Sequence, residues 1–291
     1  MIIEIGQVER VRRVFSQEDF DRFAALSGDD NPIHVDPDFS ARTSFGATVA
    51  HGMLLYSAVS SALGTRFPGP GTIQMEQELM FPSPTYADEE VIIRLEVTDV
   101  REARELVDLS TIVIRPDQQI GLQGRTLVQL PGRASYPKAA GDEEQAPTPT
   151  GPQRFKGLEI GQRAETRRTF TNEDLDDYVD LAGDTNPIFT DAAYARALGL
   201  RRRLIPGSLL GGLFSYLLGT CLPGRGTNYL KQRLVYPAPA YPGEELNAAV
   251  EITRLRPEKE LVNLSAVCTN PAGQTVCKGS ALVLVRDVEG R

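Results

Sequence analysis

Apolar positions recur along this chain in two alternating regimes. Residues 18–28, EDFDRFAALSG, and 173–183, EDLDDYVDLAG, carry apolar residues at helical spacing and end at glycine. Each follows a capping-box signal, SQED or TNED, in which a hydroxyl residue precedes an acid by three positions. The stretches 51–67, HGMLLYSAVSSALGTRF, and 206–222, PGSLLGGLFSYLLGTCL, are apolar nearly all round, which predicts helices buried on most faces. Their glycines suggest close packing. Beyond each, the period shortens to two. EVIIRLEVTDV, ELVDLSTIVIRP and QGRTLVQL predict strands in the first half, and ELNAAVEITRL, ELVNLSAVCTN and KGSALVLV predict strands in the second. One buried helix wrapped by a long antiparallel sheet is an α+β plan.

The two regimes repeat because the chain repeats. SGDDNPIHVD at 27–36 matches AGDTNPIFTD at 182–191, an offset of 155 positions. The same offset, ungapped, aligns LGTRFPGPGT with LGTCLPGRGT, FPSPTYADEE with YPAPAYPGEE, and ELVDLS with ELVNLS. A period of this length is a domain and not a solenoid unit. The expected organisation is an N-terminal domain over 1–134, a linker over 135–154 rich in Pro, Gly, Ala and acids, and a C-terminal domain over 155–291. In each repeat the Asn-Pro step predicts an irregular segment between the two helices.

The chain has 291 residues, 24% charged, with a formal net charge of −8. That charge argues against nucleic acid as a partner. No apolar run is long enough for a membrane span, and the N-terminus does not read as a signal peptide, so the expectation is a cytoplasmic protein. Three cysteines without CxxC spacing read as reduced, packed thiols. With only two histidines, His34 and His51, no metal site is expected.

The string FAALSGDDNPIHVDPDFSA at 23–41, with FGATVAHGML at 45–54, resembles the hydratase motif of MaoC-like enzymes, the (R)-specific enoyl-CoA hydratases and dehydratases. The resemblance covers both halves. It implies a tandem double hot-dog fold, with the two halves packed as a pseudo-dimer and room for a further homodimer. It implies interconversion of trans-2-enoyl and (R)-3-hydroxyacyl thioesters, with no cofactor and with CoA or an acyl-carrier protein carrying the acyl group. It places Asp29 and His34 as the catalytic acid and base, and Gly52 as the residue whose N–H polarises the thioester carbonyl. Asn31, lying between the pair, would orient it by hydrogen bonds.

The residue types suit that chemistry. Hydration of an enoyl thioester needs a water deprotonated, a proton delivered to C2, and charge on the thioester oxygen stabilised. A carboxylate and an imidazole serve the first two needs, and the free N–H groups of a helix start serve the third. Which of Asp29 and His34 is acid and which base stays open, since the roles exchange with reaction direction. Glycine at 52 would let the acyl group approach the backbone. His51 is a further candidate, either in the chemistry or in orienting the helix start.

In the second repeat Phe189 replaces His34 and Pro206 replaces His51, so that half is expected to be catalytically silent, with Asp184 kept as a turn residue. Asp30 and Asp36 read as solvated or capping groups. Gly211 and Gly212 stand where the first repeat has Tyr56 and Ser57, which would either widen an acyl tunnel or serve packing. Arg201, Arg202 and Arg203 would either grip a carrier's phosphates or form a solvated loop. The competing functions are a carrier-protein-dependent dehydratase on a specialised acyl group, a hot-dog thioesterase, and a non-catalytic acyl-binding protein. The Asp-x4-His pair argues against the last two.

Overall fold

The computed structural model describes residues 3–132, 134–136 and 152–290. In the first half the chain runs β1 (Val8–Val14), α1 (Gln17–Ser27), α2 (Pro32–Val35), α3 (Pro37–Ser40), α4 (Gly52–Thr65), β2 (Ile73–Met80), β3 (Glu90–Arg101), β4 (Leu106–Ile114) and β5 (Ile120–Gln129). The second half opens with the short paired strands β6 (Arg154–Phe155) and β7 (Leu158–Glu159). It then repeats the plan as β8 (Arg163–Thr169), α5 (Asn172–Ala182), α6 (Pro187–Thr190), α7 (Ala192–Ala197), α8 (Gly207–Tyr216), β9 (Asn228–Val235), β10 (Glu245–Arg256), β11 (Leu261–Thr269) and β12 (Thr275–Leu284).

Helices α1 and α5 form where their capping boxes predict. Ser16 and Thr171 accept from the backbone N–H of Asp19 and Asp174, and each helix ends at a glycine with positive φ, Gly28 or Gly183. The Asn-Pro segments are not irregular throughout. Pro32 and Pro187 each start a single helical turn, because proline at the first helical position has its φ preset and gives up an N–H that would be unpaired anyway.

All long strands join one antiparallel sheet in the order β1-β3-β4-β5-β2-β9-β12-β11-β10-β8. The two halves meet at β2 and β9, strands whose mixed pattern gave no sequence signal. There Glu78 pairs with Arg233, its own repeat equivalent (78 + 155 = 233), so a pseudo-twofold axis passes through the joint. The sheet closes over α4 and α8, which bury Met53, Leu54, Tyr56 and Val59 on one, and Leu209, Leu213 and Phe214 on the other.

The glycines of α8 are packing residues. A Cβ on Gly211 would strike Met53 Sδ of α4, and one on Gly212 would lie 3.0 Å from Ser27 Cβ. The tunnel-widening alternative is therefore corrected: the space beside these glycines is filled by the first half. Of the segment 135–154, residues 137–151 lie outside the described residues. The chain entering it is tied to the second half. Ala134 N–H donates to Leu198 O (2.7 Å), and Tyr136 packs against the second half's cluster around Ile188, Phe189 and Tyr241.

Candidate active site

The decapeptide of the first half is held in place by the second half. Asn31 Oδ1 accepts from Gly226 N–H (2.9 Å), and its Nδ2 donates to Thr227 O (3.0 Å). Ser215 on α8 donates to Asp29 Oδ2 at 2.5 Å. The pseudo-twofold axis repeats each bond in reverse. Asn186 clamps Gly71 and Thr72 through bonds of 2.9 Å each, and Ser60 of α4 donates to Asp184 at 2.7 Å. Asn31 thus orients the pair differently from expectation. Its side chain staples a loop of the other half, and only its backbone N–H reaches Asp29 Oδ1, at 3.4 Å.

Asp29, His34 and His51 are all buried and lie together, with ligand-type atoms within 4.8 Å of one another. Two histidines in the whole chain gave no reason to expect such a cluster. His34 sits in the α2 turn, and its Nδ1–H donates to Val49 O (2.7 Å). A carbonyl accepts only, so the bond fixes the tautomer and leaves the lone pair on Nε2. His51 precedes α4 and donates Nε2–H to Asp29 O (2.9 Å). The two imidazoles stack with centroids 3.8 Å apart.

Burial raises the Asp29 carboxyl above its ordinary range, opposed by His34, by the Ser215 hydroxyl and by the Asn31 N–H. Burial lowers the His34 imidazole, opposed by Asp29 and by its bond to Val49. Both shifts favour the uncharged forms, a protonated carboxyl and a neutral imidazole.

A cavity of about 120 Å³ opens beside this pair. His34, Asn31, Gly52, Leu55 and Phe81 line it from the first half, and Ser215, Leu218, Gly219 and Tyr229 from the second. Gly52 is the first residue of α4, so its N–H has no partner within the helix. The Phe81 ring packs on it: a Cβ at 52 would fall 2.6 Å from Phe81 Cζ. The absence of a side chain at 52 thus admits an aromatic wall as well as leaving the N–H open.

The remaining expectations fall elsewhere. Arg201, Arg202 and Arg203 do not line the cavity. Arg201 pairs with Glu244 at 2.8 Å and lies over the Tyr241 ring at 4.4 Å, and Arg203 pairs with Asp176 at 2.6 Å. Arg202 reaches Glu244 at 4.0 Å. These arginines occupy repeat positions equivalent to 46–48, so they flank the second half's counterpart site. Asp36 caps α3 by accepting from Phe39 N–H, and Asp30 is an exposed partner of Arg225 at 3.7 Å. Cys268 and Cys277 face each other across β11 and β12, buried and unbonded, and Cys221 is exposed.

In the second half the counterpart of the cavity shrinks to about 30 Å³, lined by Phe189, Gly207, Gln74 and Tyr236 among others. A Cβ on Gly207, the equivalent of Gly52, would lie 2.6 Å from Gln74 Oε1 and 2.9 Å from Tyr236 Cζ. Phe189 stands buried in the place of the imidazole. Ser215 and Gly219 gave no signal in the sequence as site residues, because Asp29, which both approach, lies in the other half of the chain.

Comparison with known proteins agrees with this architecture. The model of the MaoC like domain matches residues 4–115 and again 156–269. An (R)-specific enoyl-CoA hydratase of Aeromonas caviae is 39% identical over 129 residues, covering 44% of this chain and 96% of that protein. A 3-hydroxybutyryl-CoA dehydratase of Methylorubrum extorquens is 36% identical over 129 residues, covering 44% of this chain and 82% of its own length. Among solved structures, a MaoC-like dehydratase superposes with a TM-score of 0.78 over 96% of this chain and 98% of that one, at 17% identity. A Mycobacterium tuberculosis protein described as having a double hot-dog fold superposes with a TM-score of 0.73 over 97% of each chain, at 16% identity. With the family's domain found twice and a sheet continuous across both copies, the chain belongs to the MaoC-like family and has the tandem double hot-dog fold.

Proposed function

We propose that this protein is a hydro-lyase that interconverts trans-2-enoyl thioesters and (R)-3-hydroxyacyl thioesters. The observation that carries the reading is that His34 and the Gly52 helix start line one cavity while the Asp29 carboxyl lies buried within 4.8 Å of the His34 ring. In hydration, one member of the pair takes a proton from water as oxygen adds to C3, and the other delivers a proton to C2. In dehydration the roles reverse. Burial that favours a protonated carboxyl beside a neutral imidazole supplies one proton donor and one acceptor for such an exchange. Gly52 N–H, reinforced by the dipole of α4, donates to the thioester oxygen as it gains charge.

The catalytic pair is Asp29 and His34, with Asn31 and Ser215 holding the segment and the carboxylate. The N-terminal half, 1–134, is the working half, and 155–291 is a silent half that completes the site. The reading requires no cofactor, since CoA or a carrier-protein arm belongs to the substrate. No helix among the described residues is long and apolar enough to cross a membrane, and we place the protein in the cytoplasm.

The test follows loss of enoyl-thioester absorbance with enoyl-CoA and enoyl-carrier-protein substrates. Wild-type protein consumes the enoyl group without releasing free thiol. His34→Ala and Asp29→Asn each lose about 10²-fold or more in kcat. Free-thiol release by the wild type would replace the hydratase reading with a thioesterase. Activity confined to carrier-protein substrates would identify the carrier.

A further inference from the structure

Of the two histidines in the chain, only His34 has a part in the chemistry above. The other, His51, touches every component of the site. Its Nε2–H is bonded to the Asp29 carbonyl, its ring stacks on His34, and the next residue is Gly52. It is fully buried, and the edge of the Phe23 ring lies against it with centroids 5.1 Å apart. Its Nδ1 is buried without a hydrogen-bond partner among the described residues. A buried polar side chain with an unsatisfied atom is destabilising, so a role in folding alone is a poor account of it.

The second repeat supplies an internal control. Its counterpart is Pro206, and the backbone there is superposable on that of His51: φ −59° and ψ 143° against φ −59° and ψ 136°. Helix α8 starts at Gly207 as α4 starts at Gly52. Proline therefore builds this helix start as well as histidine does. The second repeat keeps the residues that hold the halves together, Asp184, Asn186 and Ser215, and lacks both imidazoles. Where the base is absent, so is the ring beneath it.

We propose that His51 is a positioning residue that fixes the His34 ring and the Asp29 backbone relative to the Gly52 helix start. The stack sets the plane in which the His34 Nε2 lone pair points. The bond to the Asp29 carbonyl sets where the carboxylate begins. The groups facing the His51 ring are Asp29, His34 and the Phe23 ring. Burial and the neighbouring His34 hold His51 well below the usual histidine range, so it stays neutral and adds no charge opposing a proton on His34.

The kinetic part of the test rests on the hydration reading, and the spectroscopic part does not. His51→Pro should fold, with a thermal midpoint close to wild type, because the chain already uses proline at this place. Its kcat should fall about 100-fold, the cost of a catalytic group misplaced by about an ångström, with KM little changed. His51→Gln keeps an N–H donor for the Asp29 carbonyl without the ring, so its kcat should lie between the two. With only two histidines, ring-nitrogen NMR assigns both directly. Wild-type His34 should hold the Nδ1–H tautomer set by Val49, with a slowly exchanging Nδ1 proton, and in His51→Pro the tautomer should persist while that proton exchanges faster, because the ring is no longer held against its partner. A folded His51→Pro with wild-type kcat, or with the His34 Nδ1 proton exchanging as in wild type, would overturn the proposal. So would His51→Pro failing to fold, since that would make the side chain structural. An inactive wild type whose His34 Nδ1 proton still exchanges faster in His51→Pro would sink the hydratase reading and leave the positioning role standing.

Discussion

Asp184 is a buried carboxyl with no imidazole beside it, and replacing it with asparagine gives a sharp test of how the two halves are held. Burial pushes its carboxyl up to about 6 from the ordinary 3.8, against the opposing effects of the Ser60 hydroxyl and the Asn186 N–H. A rise of about two units corresponds to about 3 kcal/mol between the protonated and ionised forms. The folded pKa lies above the unfolded one, so the stabilising contribution is full below pH 3.8 and is lost as pH rises through 6. At pH 8 the folded protein holds a desolvated carboxylate.

In Asp184→Asn the new side-chain amide would present its oxygen to the Asn186 N–H and its N–H to Ser60, whose hydroxyl turns to accept. The variant should therefore be more stable than wild type at pH 8 by up to about 3 kcal/mol, and the two should converge near pH 4. Denaturant titrations at half-unit steps from pH 4 to 8 measure this. Asp29 titrates in both proteins, so the difference isolates Asp184. Destabilisation at pH 8, or a difference that does not change with pH, would refute the reasoning. Activity should be unchanged, since Asp184 lies in the half without the imidazole.

Other consequences follow from the cross-half contacts. Ser215→Ala removes a hydrogen bond to a buried carboxylate, worth about 1.5–3 kcal/mol, so kcat should fall roughly tenfold or more. The Asp29 limb of the pH–rate profile should move to higher pH, because the lost bond had favoured the ionised form. Gly219→Ala would set a Cβ 2.8 Å from Asp29 Oδ1, and Gly64→Ala would set one 2.6 Å from Asn186 Cβ. Each should cost about 1–3 kcal/mol in thermal or chemical denaturation, while only Gly219→Ala lowers kcat. Phe189→His should not create a second active site, since the cavity there holds only about 30 Å³ against about 120 Å³ in the first half. A double variant of Asp29→Asn and Phe189→His should therefore be as inactive as Asp29→Asn alone in the absorbance assay.

The sequence by itself determined what depends on neighbours in the chain. The 155-residue repeat, the capping boxes, the two nearly all-apolar helices and most long strands were legible because each rests on local spacing. Asp29 and His34 were singled out by the resemblance of their motif, and their spacing of five residues across a proline is what lets the two face one point. Phe189 carried the expectation of a silent half, because no aromatic hydrocarbon ring moves a proton. Tertiary structure decided the rest. Ser215 reaches Asp29 across 186 positions and Asn31 reaches Thr227 across 196, distances over which periodicity carries no information. The joint at β2 and β9, the packing role of Gly211 and Gly212, and the ion pairs of Arg201 and Arg203 depend on which surfaces meet. The stack of His34 on His51 also belongs to the tertiary structure: the two lie 17 positions apart, and bonds of Val49 to Ile33 and His34 and of His51 to Asp29 fold the chain back so that the rings meet at 3.8 Å.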